Sequence, residues 1–401
     1  MEERLLFADL KVLDVGSWIA APVATTMLAD YGAQVIKIEA PDLGDGYRNF
    51  AEMPGTPDAD TNYTWHMDNR NKRSISLNLK SEAGRSILRQ LVAECDVYVT
   101  NLPQPMRRQW RLTFDDLAAL NPAMIYASLT AYGEKGPEGD REGFDLVAYW
   151  SRSGLMDLVH APGAPPGPAL PGMGDHPTAV TLYAGIVTAL LKRAQTGQGS
   201  HVHTSLMANG VWSASCIAQG VFADADFSNY FANQSRQFTR LLYEASDGRW
   251  LQFSMVRTDD EVDALFVALD RPDLLVNPCF ASAEARMENG EALTIELSNA
   301  LAQRSSNEWM TVFAEAGVPA ALVGQVADLC NDQQVLANAM AIPGPKGSGM
   351  ERMIKHPMNI DGLATREHVP APEQGQHTNE VLQELGYSPQ EVVKLRKDRV
   401  I

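Results

Sequence analysis

The sequence predicts an α/β protein, with a parallel sheet and helices in the first two hundred residues and a smaller α+β domain after them. Apolar strand-like segments alternate with helical segments from residue 10 to residue 206, which is typical of parallel sheets. From residue 244 the pattern changes to a turn, an alternating strand and several helices. The chain has 401 residues, 45% of them hydrophobic and 21% charged, which is enough for two or three folded domains.

The first βαβ unit is predicted from three consecutive segments. Leu10–Val15 has the composition of a buried strand, Pro22–Tyr31 that of a helix, and Gln34–Ile38 that of a second strand. We expect the two strands to pair in parallel through a right-handed crossover. The same alternation predicts further strands over Ser74–Leu79, Asp96–Thr100 and Met124–Leu129, and a helix over Glu82–Glu94.

The remaining elements define the expected domain limits. A strand is predicted over Trp250–Met255, and helices over Glu261–Leu269, Gly290–Gln303, Asn307–Ala316, Glu380–Leu385 and Pro389–Lys397. Proline and glycine mark connectors at Ile342–Gly349 and Pro357–Pro372. The predicted organisation is a large domain over 1–205, a linker helix over 206–230, a small domain over 231–325, and a return connector with the last part of the large domain over 326–401.

Charge and cysteine usage exclude several classes of function. The formal net charge of −17 argues against nucleic acid and anionic membrane surfaces as partners. The N-terminus lacks the pattern of a signal peptide, and the sequence has no run of eighteen apolar residues, so we expect a cytoplasmic protein. The four cysteines are widely spaced and form no C-x-x-C pair, which makes zinc ligation and thioredoxin chemistry poor interpretations.

Several motifs have features of binding or catalytic sites but favour a structural interpretation when taken alone. Gly16 follows the first strand without the further glycines of a dinucleotide-binding turn, and no G-x-S-x-G nucleophile motif is found. The basic segment Asn69–Arg73 and Lys80 could bind phosphates, but taken alone these residues favour an ordinary solvated loop. The eight histidines have no metal-ligand spacing, and His201 and His203, which share a strand face, lack a third ligand nearby, so no metal site is predicted.

The segment around Asp175 carries the most chemical information. Asp175 follows Gly172 and Gly174, where a tight turn is expected, and precedes an apolar helical run over Thr178–Arg193 that ends near Gly197. At a helix start the dipole favours the ionised carboxylate, which could attack an activated carbonyl carbon. Taken alone, the segment favours a plain N-cap role, worth about 1 kcal/mol, over the nucleophile.

The whole chain resembles the class III CoA-transferases, the group that contains formyl-CoA transferase and the carnitine and bile-acid CoA-transferases. Each matching segment is short, but their order and spacing cover nearly the whole sequence. The segments are Lys11–Asp14, Leu28–Ala33, Val35–Glu39, Asn71–Ile75, Leu77–Lys80, Gly174-Asp175, Thr196–Gly199, Ala316–Pro319 and His377–Leu382.

The resemblance implies a fold, a cofactor and a set of contacts. The fold would be a Rossmann-like large domain with a smaller α+β domain, in a dimer of interlocked chains. Coenzyme A would bind as acyl-CoA, without a metal. The implied CoA contacts are Ile19, Ala20, Leu77, Asn78, Leu79, Lys80, Asn101, Leu102, Pro103, Glu142, Gly143, Phe144 and Asp145.

The sequence departs from the family pattern at phosphate-contacting positions. Ala40 and Gln109 stand where the family has arginines, so other cations would have to replace them. Lys37 and Arg48 are assigned to the cofactor on this basis, with Lys72, Arg107 and Arg108 as further candidates. The Gly-rich loop of formyl-CoA transferase is replaced by Phe253–Arg257, so acids other than formate and oxalate are expected as substrates.

The resemblance also implies a mechanism in which Asp175 is the nucleophile. The carboxylate would pass through an acyl-aspartyl anhydride and an aspartyl-CoA thioester, and the backbone near Gly172 and Gly174 could bind the oxyanions. The related α-methylacyl-CoA racemases carry a histidine where this chain has Phe144, which makes racemisation the alternative. Two further interpretations are a non-catalytic acyl-CoA-binding protein and a Rossmann-type oxidoreductase. The oxidoreductase would need the glycines of a dinucleotide-binding turn, which this sequence lacks.

Overall fold

The computed structural model describes residues 4–160 and 164–401, and the chain divides into two compact units. The first unit comprises residues 4–159, Pro166–Ala218 and Gln333–Ile401. The second unit comprises Gln219–Asp332 together with His160 and residues 164–165. The last 69 residues therefore return to the unit in which the chain starts.

The first unit is built on a six-stranded parallel sheet, as the alternating pattern predicts. Its strands are ordered β3-β2-β1-β4-β5-β6. Their bounds are Lys11–Val15 (β1), Gln34–Glu39 (β2), Lys72–Ser76 (β3), Val97–Thr100 (β4), Ile125–Thr130 (β5) and Ser200–Ser205 (β6). In this order the chain leaves β1 towards one side of the sheet and β4 towards the other, so a crevice opens where β1 and β4 end.

Helices cover both faces of the sheet because successive strand residues point to opposite faces. On β1, Val12 belongs to one buried apolar cluster and Leu13 to the other. The helices up to β6 are Ala20–Asp30 (α1), Tyr63–Asn69 (α2), Glu82–Glu94 (α3), Gln104–Gln109 (α4), Phe114–Ala118 (α5), Leu155–Leu158 (α6) and Asp175–Thr196 (α7). Shorter turns of 3₁₀ and π type cover Gly46–Glu52 and Leu146–Ser151.

Two predicted limits in this unit differ from the structure for local reasons. The strand expected over Ser74–Leu79 lies at Lys72–Ser76, since the chain after Ser76 turns towards the C-terminal segment, where Asn78 N–H donates to Val400 O at 2.8 Å. The helix expected from Thr178 begins at Asp175 and ends at Thr196, with Gly197 in the left-handed conformation that glycine favours.

After β6 the region expected to be one linker helix, 206–230, contains two short helices, and a third begins at its last residue. These are Leu206–Ser213 (α8), Ser215–Phe222 (α9) and Tyr230–Arg236 (α10). The second unit then contains an antiparallel sheet of Leu242–Glu244 (β7), Trp250–Gln252 (β8) and Ala321–Leu322 (β9). Its other helices are Asp259–Ala268 (α11), Ala283–Glu288 (α12), Gly290–Leu301 (α13) and Ser306–Ala316 (α14), around a core that includes Phe253, Trp309 and Phe313.

The C-terminal segment contains more regular structure than the sequence predicts. The expected connector over Ile342–Gly349 is part of an antiparallel hairpin of Ala341–Pro343 (β10) and Arg352–Ile354 (β11), preceded by Gln333–Ala337 (α15). The two terminal helices, Thr378–Glu384 (α16) and Pro389–Lys397 (α17), pack through Val381, Leu382 and Val392 on the cluster that contains Leu13.

Neither described part of the chain contains a helix that is both long and apolar enough to cross a membrane. Within the same residues, no three or more His, Cys, Asp or Glu side chains are grouped so that they could hold a metal ion.

Candidate active site

A cavity of about 530 Å³ lies within the first unit, at the crevice where β1 and β4 end. The loops after these strands are joined by two hydrogen bonds, from Ser17 N–H to Asn101 Oδ1 at 2.9 Å and from Asn101 Nδ2 to Ser17 O at 2.8 Å. Ten of the residues assigned to the site from sequence line this cavity, namely Ile19, Ala20, Asn101, Leu102, Pro103, Glu142, Gly143, Phe144, Asp145 and Asp175.

Asp175 is the first residue of α7, and two glycines shape the turn that leads to it. Gly172 has a φ of +86°, which glycine adopts without strain, whereas Gly174 has a φ of −95°. Gly174 is needed for space instead, because a Cβ there would lie 2.6 Å from Tyr149 Cγ and 2.9 Å from Asp145 Cβ. A tight turn was expected at both glycines, but only Gly172 uses the positive φ that glycine allows.

Asp145 holds this turn through its buried carboxylate. Its Oδ2 accepts hydrogen bonds from Gly172 N–H at 2.8 Å and from Gly174 N–H at 3.1 Å. These two N–H groups were expected to be available for a substrate oxyanion, but they already have an acceptor in the structure. The backbone donors for an oxyanion must therefore come from elsewhere.

The carboxylate of Asp175 is not engaged as a helix cap. The N-cap position is Gly174, and within the described residues no hydrogen bond reaches the Asp175 side chain. Burial, together with the negative charges of Asp145 and Asp68, raises the pKa of Asp175 to about 7, and the His176 cation opposes this shift. The helix start alone was expected to keep Asp175 ionised, but burial and the acidic neighbours outweigh that effect.

His176 is held between two acceptors beside the nucleophile candidate. Its Nδ1 lies 3.0 Å from Gly172 O, and its Nε2 lies 3.3 Å from Asp68 Oδ1. Burial lowers the pKa of His176, but the hydrogen bond and charge of Asp68, the Gly172 carbonyl and the charge of Asp175 together outweigh it and raise the pKa to about 9. Both ring nitrogens can donate only in the imidazolium form, so the geometry and the pKa shift agree on a cation.

Asp68 and Tyr47 complete this network behind His176. Tyr47 donates from its hydroxyl to Asp68 Oδ2 at 2.7 Å, and both side chains are buried. Sequence reasoning missed these two residues, because Asp68 lies about a hundred positions from His176 and nothing in its own segment marks it. The available signal was His176 itself, a histidine directly after a candidate nucleophile.

The start of α1 also faces the cavity, through Ile19 and Ala20. The N-cap residue Ile19 has no side chain that could cap the helix. Among the described residues, the N–H groups of Ile19, Ala20 and Ala21 donate to no protein acceptor. Unpaired N–H groups at a helix start attract negative charge, so these groups can stabilise an oxyanion.

The lysines proposed as phosphate ligands are buried in ion pairs away from the cavity lining. Lys37 Nζ lies 2.7 Å from Asp45 Oδ2 and 3.9 Å from Asp14 Oδ2, and Lys72 Nζ lies 2.9 Å from Asp14 Oδ2. Both lysine side chains are 0% exposed. Lys37 therefore presents no atom to a phosphate at the protein surface.

The arginine candidates are also paired with carboxylates of the chain. Arg48 binds Glu39 through two nitrogens, each at 2.7 Å, and its guanidinium stacks on Trp65. Arg107 pairs with Glu134 at 3.1 Å and Arg108 with Asp140 at 2.5 Å. Like Arg48, the segment Leu77, Asn78, Leu79 and Lys80 lies outside the cavity lining, next to the C-terminal residues.

Sequence reasoning missed the apolar side of the cavity. Large apolar side chains line this side, and six of them are Trp18, Phe50, Met53, Met106, Phe144 and Leu146. Of these only Phe144 was assigned a role. We call this set the apolar wall.

Comparison with known proteins identifies the family. The model of CoA-transferase family III matches residues 7–378. The chain is 33% identical to the cinnamoyl-CoA:phenyllactate CoA-transferase of Clostridium sporogenes over 99% of its length and 97% of that protein. It is 31% identical to the (R)-2-hydroxy-4-methylpentanoate CoA-transferase of Clostridioides difficile over 99% of its length and 100% of that protein.

A solved structure of a CaiB/BaiF family protein from Brucella suis has the same fold. It superposes with a TM-score of 0.85 at 28% identity and covers 96% of this chain and 100% of its own. With a parallel six-stranded sheet, an acidic residue at the start of α7 and full-length similarity to named transferases, the chain belongs to CoA-transferase family III and is an enzyme of that class.

Proposed function

We propose that this enzyme transfers CoA from an acyl-CoA to a carboxylic acid through covalent intermediates on Asp175. The observation that carries the proposal is the Asp175 carboxylate, which lies in the wall of a cavity at the start of a helix and has no hydrogen bond to any residue the structure describes. Its pKa of about 7 leaves a substantial ionised fraction at neutral pH. A carboxylate that is not stabilised by donors is a better nucleophile than one used as a cap.

The reaction balances without a metal or a redox step. Asp175 attacks the donor thioester carbonyl, a C–O bond forms and the C–S bond breaks, which gives a mixed anhydride and CoA thiolate. The thiolate attacks the aspartyl carbonyl, so that aspartyl-CoA forms and the donor acid leaves. The acceptor carboxylate then displaces the thiolate from aspartyl-CoA, and the thiolate attacks the acyl carbonyl of the new anhydride to regenerate Asp175.

Each addition creates an oxyanion that needs donors. The unpaired N–H groups at the start of α1 support a role for Ile19 and Ala20 as these donors, since Asp145 occupies those of Gly172 and Gly174. Asp145 would then position Asp175 by holding the turn before it. Of the other lining residues assigned from the sequence, Asn101–Pro103, Glu142 and Gly143 would contact the pantetheine arm of CoA, and Phe144 would contact the acyl group. The contacts expected for Arg48 and Leu77–Lys80 stay predictions.

The test is to trap the covalent intermediates on the wild-type enzyme and on Asp175→Asn. After incubation with an acyl-CoA and quenching with hydroxylamine, mass spectrometry should find a hydroxamate on the peptide that contains Asp175. The Asp175→Asn protein should keep its melting temperature and lose on the order of 10³-fold or more in transfer rate. Full transfer by a folded Asp175→Asn protein would disprove the nucleophile assignment.

The same reaction in heavy water tests the racemase alternative. A racemase needs a group that removes the α-proton, and Phe144 offers no such atom at the cavity. We expect no deuterium at the α-carbon of a chiral 2-methylacyl-CoA under conditions in which CoA transfer is complete. Rapid incorporation of deuterium would support racemisation instead.

We also propose that the active form is an interlocked homodimer, as the resemblance implies. The return of Gln333–Ile401 to the first unit supports this, because a tail that crosses back after a separate unit can enclose a second chain.

A further inference from the structure

Trp18 and Phe144 form the centre of the apolar wall. Their ring centroids lie 5.2 Å apart with an interplanar angle of 78°, an edge-to-face contact. Phe144 is 57% exposed and Met53 is 47% exposed, although both line the cavity. Apolar side chains left exposed in a ligand cavity favour a ligand with apolar surface.

The backbone of Trp18 is held in an unusual conformation. Its φ is +65°, in the left-handed region that bulky residues avoid. Its N–H donates to Asp45 Oδ1 at 2.9 Å, and Asp45 is fixed in turn by the buried ammonium of Lys37. The indole rests against Gly46, where a Cβ would come within 3.0 Å of the ring. Strain that the surrounding structure maintains so firmly is typical of functional positions.

The charges of the cavity argue against a second carboxylate on the substrate. Its lining includes the acidic residues Asp140, Glu142, Asp145 and Asp175, and Arg141 is the cation among the lining residues. Arg141 pairs with Glu138, and its guanidinium lies 5.1 Å from the centre of the Tyr132 ring. A substrate with a distal carboxylate would meet acidic neighbours and a cation that already has partners.

We propose, on the basis of the proposed function, that the substrates are monocarboxylic acids and thioesters with a bulky apolar side chain, aryl or branched alkyl, and that Trp18 and Phe144 determine this specificity. The exposed parts of the Phe144 and Trp18 rings would contact the side chain of the acyl group. The thioester carbonyl would then lie between Asp175 and the start of α1.

The first test compares kcat/KM for four donors with one acceptor acid. We expect 3-phenylpropionyl-CoA and 4-methylpentanoyl-CoA to exceed acetyl-CoA by about 10-fold or more, and succinyl-CoA to be the poorest donor. Phe144→Ala should lower kcat/KM for 3-phenylpropionyl-CoA by about 10-fold to 100-fold and that for acetyl-CoA by about threefold at most. Phe144→Leu keeps an apolar side chain, so its kcat/KM for 3-phenylpropionyl-CoA should lie between those of the wild-type enzyme and Phe144→Ala.

The matched control is Val276→Ala, which removes an 81% exposed apolar side chain in the second unit. It should leave kcat/KM unchanged for all four donors. Trp18→Phe is the milder change at the strained position, and its melting temperature shows whether it folds. The proposal is overturned if succinyl-CoA is the best donor, or if Phe144→Ala slows all four donors equally.

A binding measurement separates this proposal from the proposed function. S-(3-phenylpropyl)-CoA is a thioether that Asp175 cannot attack, so its affinity depends on the apolar wall and not on catalysis. Calorimetry on Asp175→Asn should find that adding Phe144→Ala weakens its binding by about 10-fold while binding of free CoA is unchanged. If this loss is seen and no aspartyl intermediate forms, the substrate class stands and the mechanism fails. If the intermediate forms and Phe144→Ala does not weaken thioether binding, the mechanism stands and the proposed substrate class fails.

Discussion

Asp175 lies between opposing charges, and their balance sets how much of it is ionised. Asp145 and burial favour the protonated acid, whereas the cation of His176 favours the carboxylate. The nucleophile is the ionised form, so each neighbour controls the fraction of enzyme that can react at a given pH. The pH dependence of the first acyl transfer is therefore a direct readout of this arrangement.

We expect kcat/KM for the acyl-CoA donor to rise with pH and to level off above about 7, where Asp175 has lost its proton. His176→Gln removes the opposing cation, so the rise should move to higher pH. Asp145→Asn removes a like charge but keeps an oxygen acceptor for Gly172 and Gly174, so the rise should move to lower pH. Shifts of about one pH unit would correspond to roughly 1.4 kcal/mol.

The two variants serve as controls for each other, because a loss of folding would lower the rate without moving the profile in opposite directions. Stopped-flow detection of released thiol between pH 5 and 9 is the measurement. If both variants shift the profile in the same direction, or neither shifts it, the electrostatic account of Asp175 is incorrect.

Individual residues differ in how far the sequence reveals them. The position of Asp175 after a glycine turn was predicted, because the turn and the helix are encoded in adjacent residues. The bond from Asp145 to that turn was not, since it joins segments about thirty positions apart. The burial of Lys37 was also missed, because a lysine on a strand is typical of an exposed face unless distant carboxylates such as Asp14 and Asp45 are known to meet it.

At the scale of elements, the start of α7 depends on close packing at Gly174. Asp145 and Tyr149 come so near that only hydrogen fits where another residue carries its Cβ. The packing and the bonds to Asp145 together determine where the helix begins and where Asp175 points.

Gly174→Ala should therefore affect activity more than a typical surface change. The φ of −95° is open to alanine, so the cost arises from the clash and should be about 1–3 kcal/mol in the free energy of unfolding. We expect the transfer rate to fall by about 10-fold or more because Asp175 is displaced. Gly167→Ala, at a glycine with no atom near its Cβ position, should change neither quantity.

Chemical denaturation and initial-rate assays of the two variants give these values. A Gly174→Ala protein with wild-type stability and rate would show that the turn tolerates a side chain.

The strands and helices of the first unit were predicted well because the β/α alternation is local and strongly periodic. The β10–β11 hairpin was missed because it lies in a segment rich in proline and glycine, where turn residues hide two short strands. The apolar wall was missed for another reason. Its members come from four separate segments of the chain, and only the folded sheet brings them to one edge.

At the scale of the whole molecule, the C-terminal tail, Gln333–Ile401, packs on the N-terminal part of the first unit. Asn78 bonds to Arg399 O and Val400 O, and Ile401 belongs to the buried cluster around β1. If two chains interlock, as proposed, they cannot separate while this tail remains packed.

We expect the enzyme to remain dimeric after dilution to nanomolar concentration, at twice the 43.8 kDa mass of the chain. When two differently tagged preparations are mixed in native buffer, mixed dimers should be absent for days. Brief unfolding and refolding of the mixture should produce them. Mass photometry and tandem affinity capture are the measurements, and a folded active monomer or mixed dimers within hours would contradict the interlocked arrangement.

The aromatic pair at the cavity has one fixed member and one adaptable member. The Trp18 N–H donates to Asp45, which pairs with the buried ammonium of Lys37, so changes at Trp18 would disturb the interior of the sheet. Phe144 lies on an exposed loop segment and contributes little to the core. If Phe144 determines the acid preference, as proposed, substitutions at this position can change that preference at little cost in folding stability, and it is the first position to randomise in a redesign.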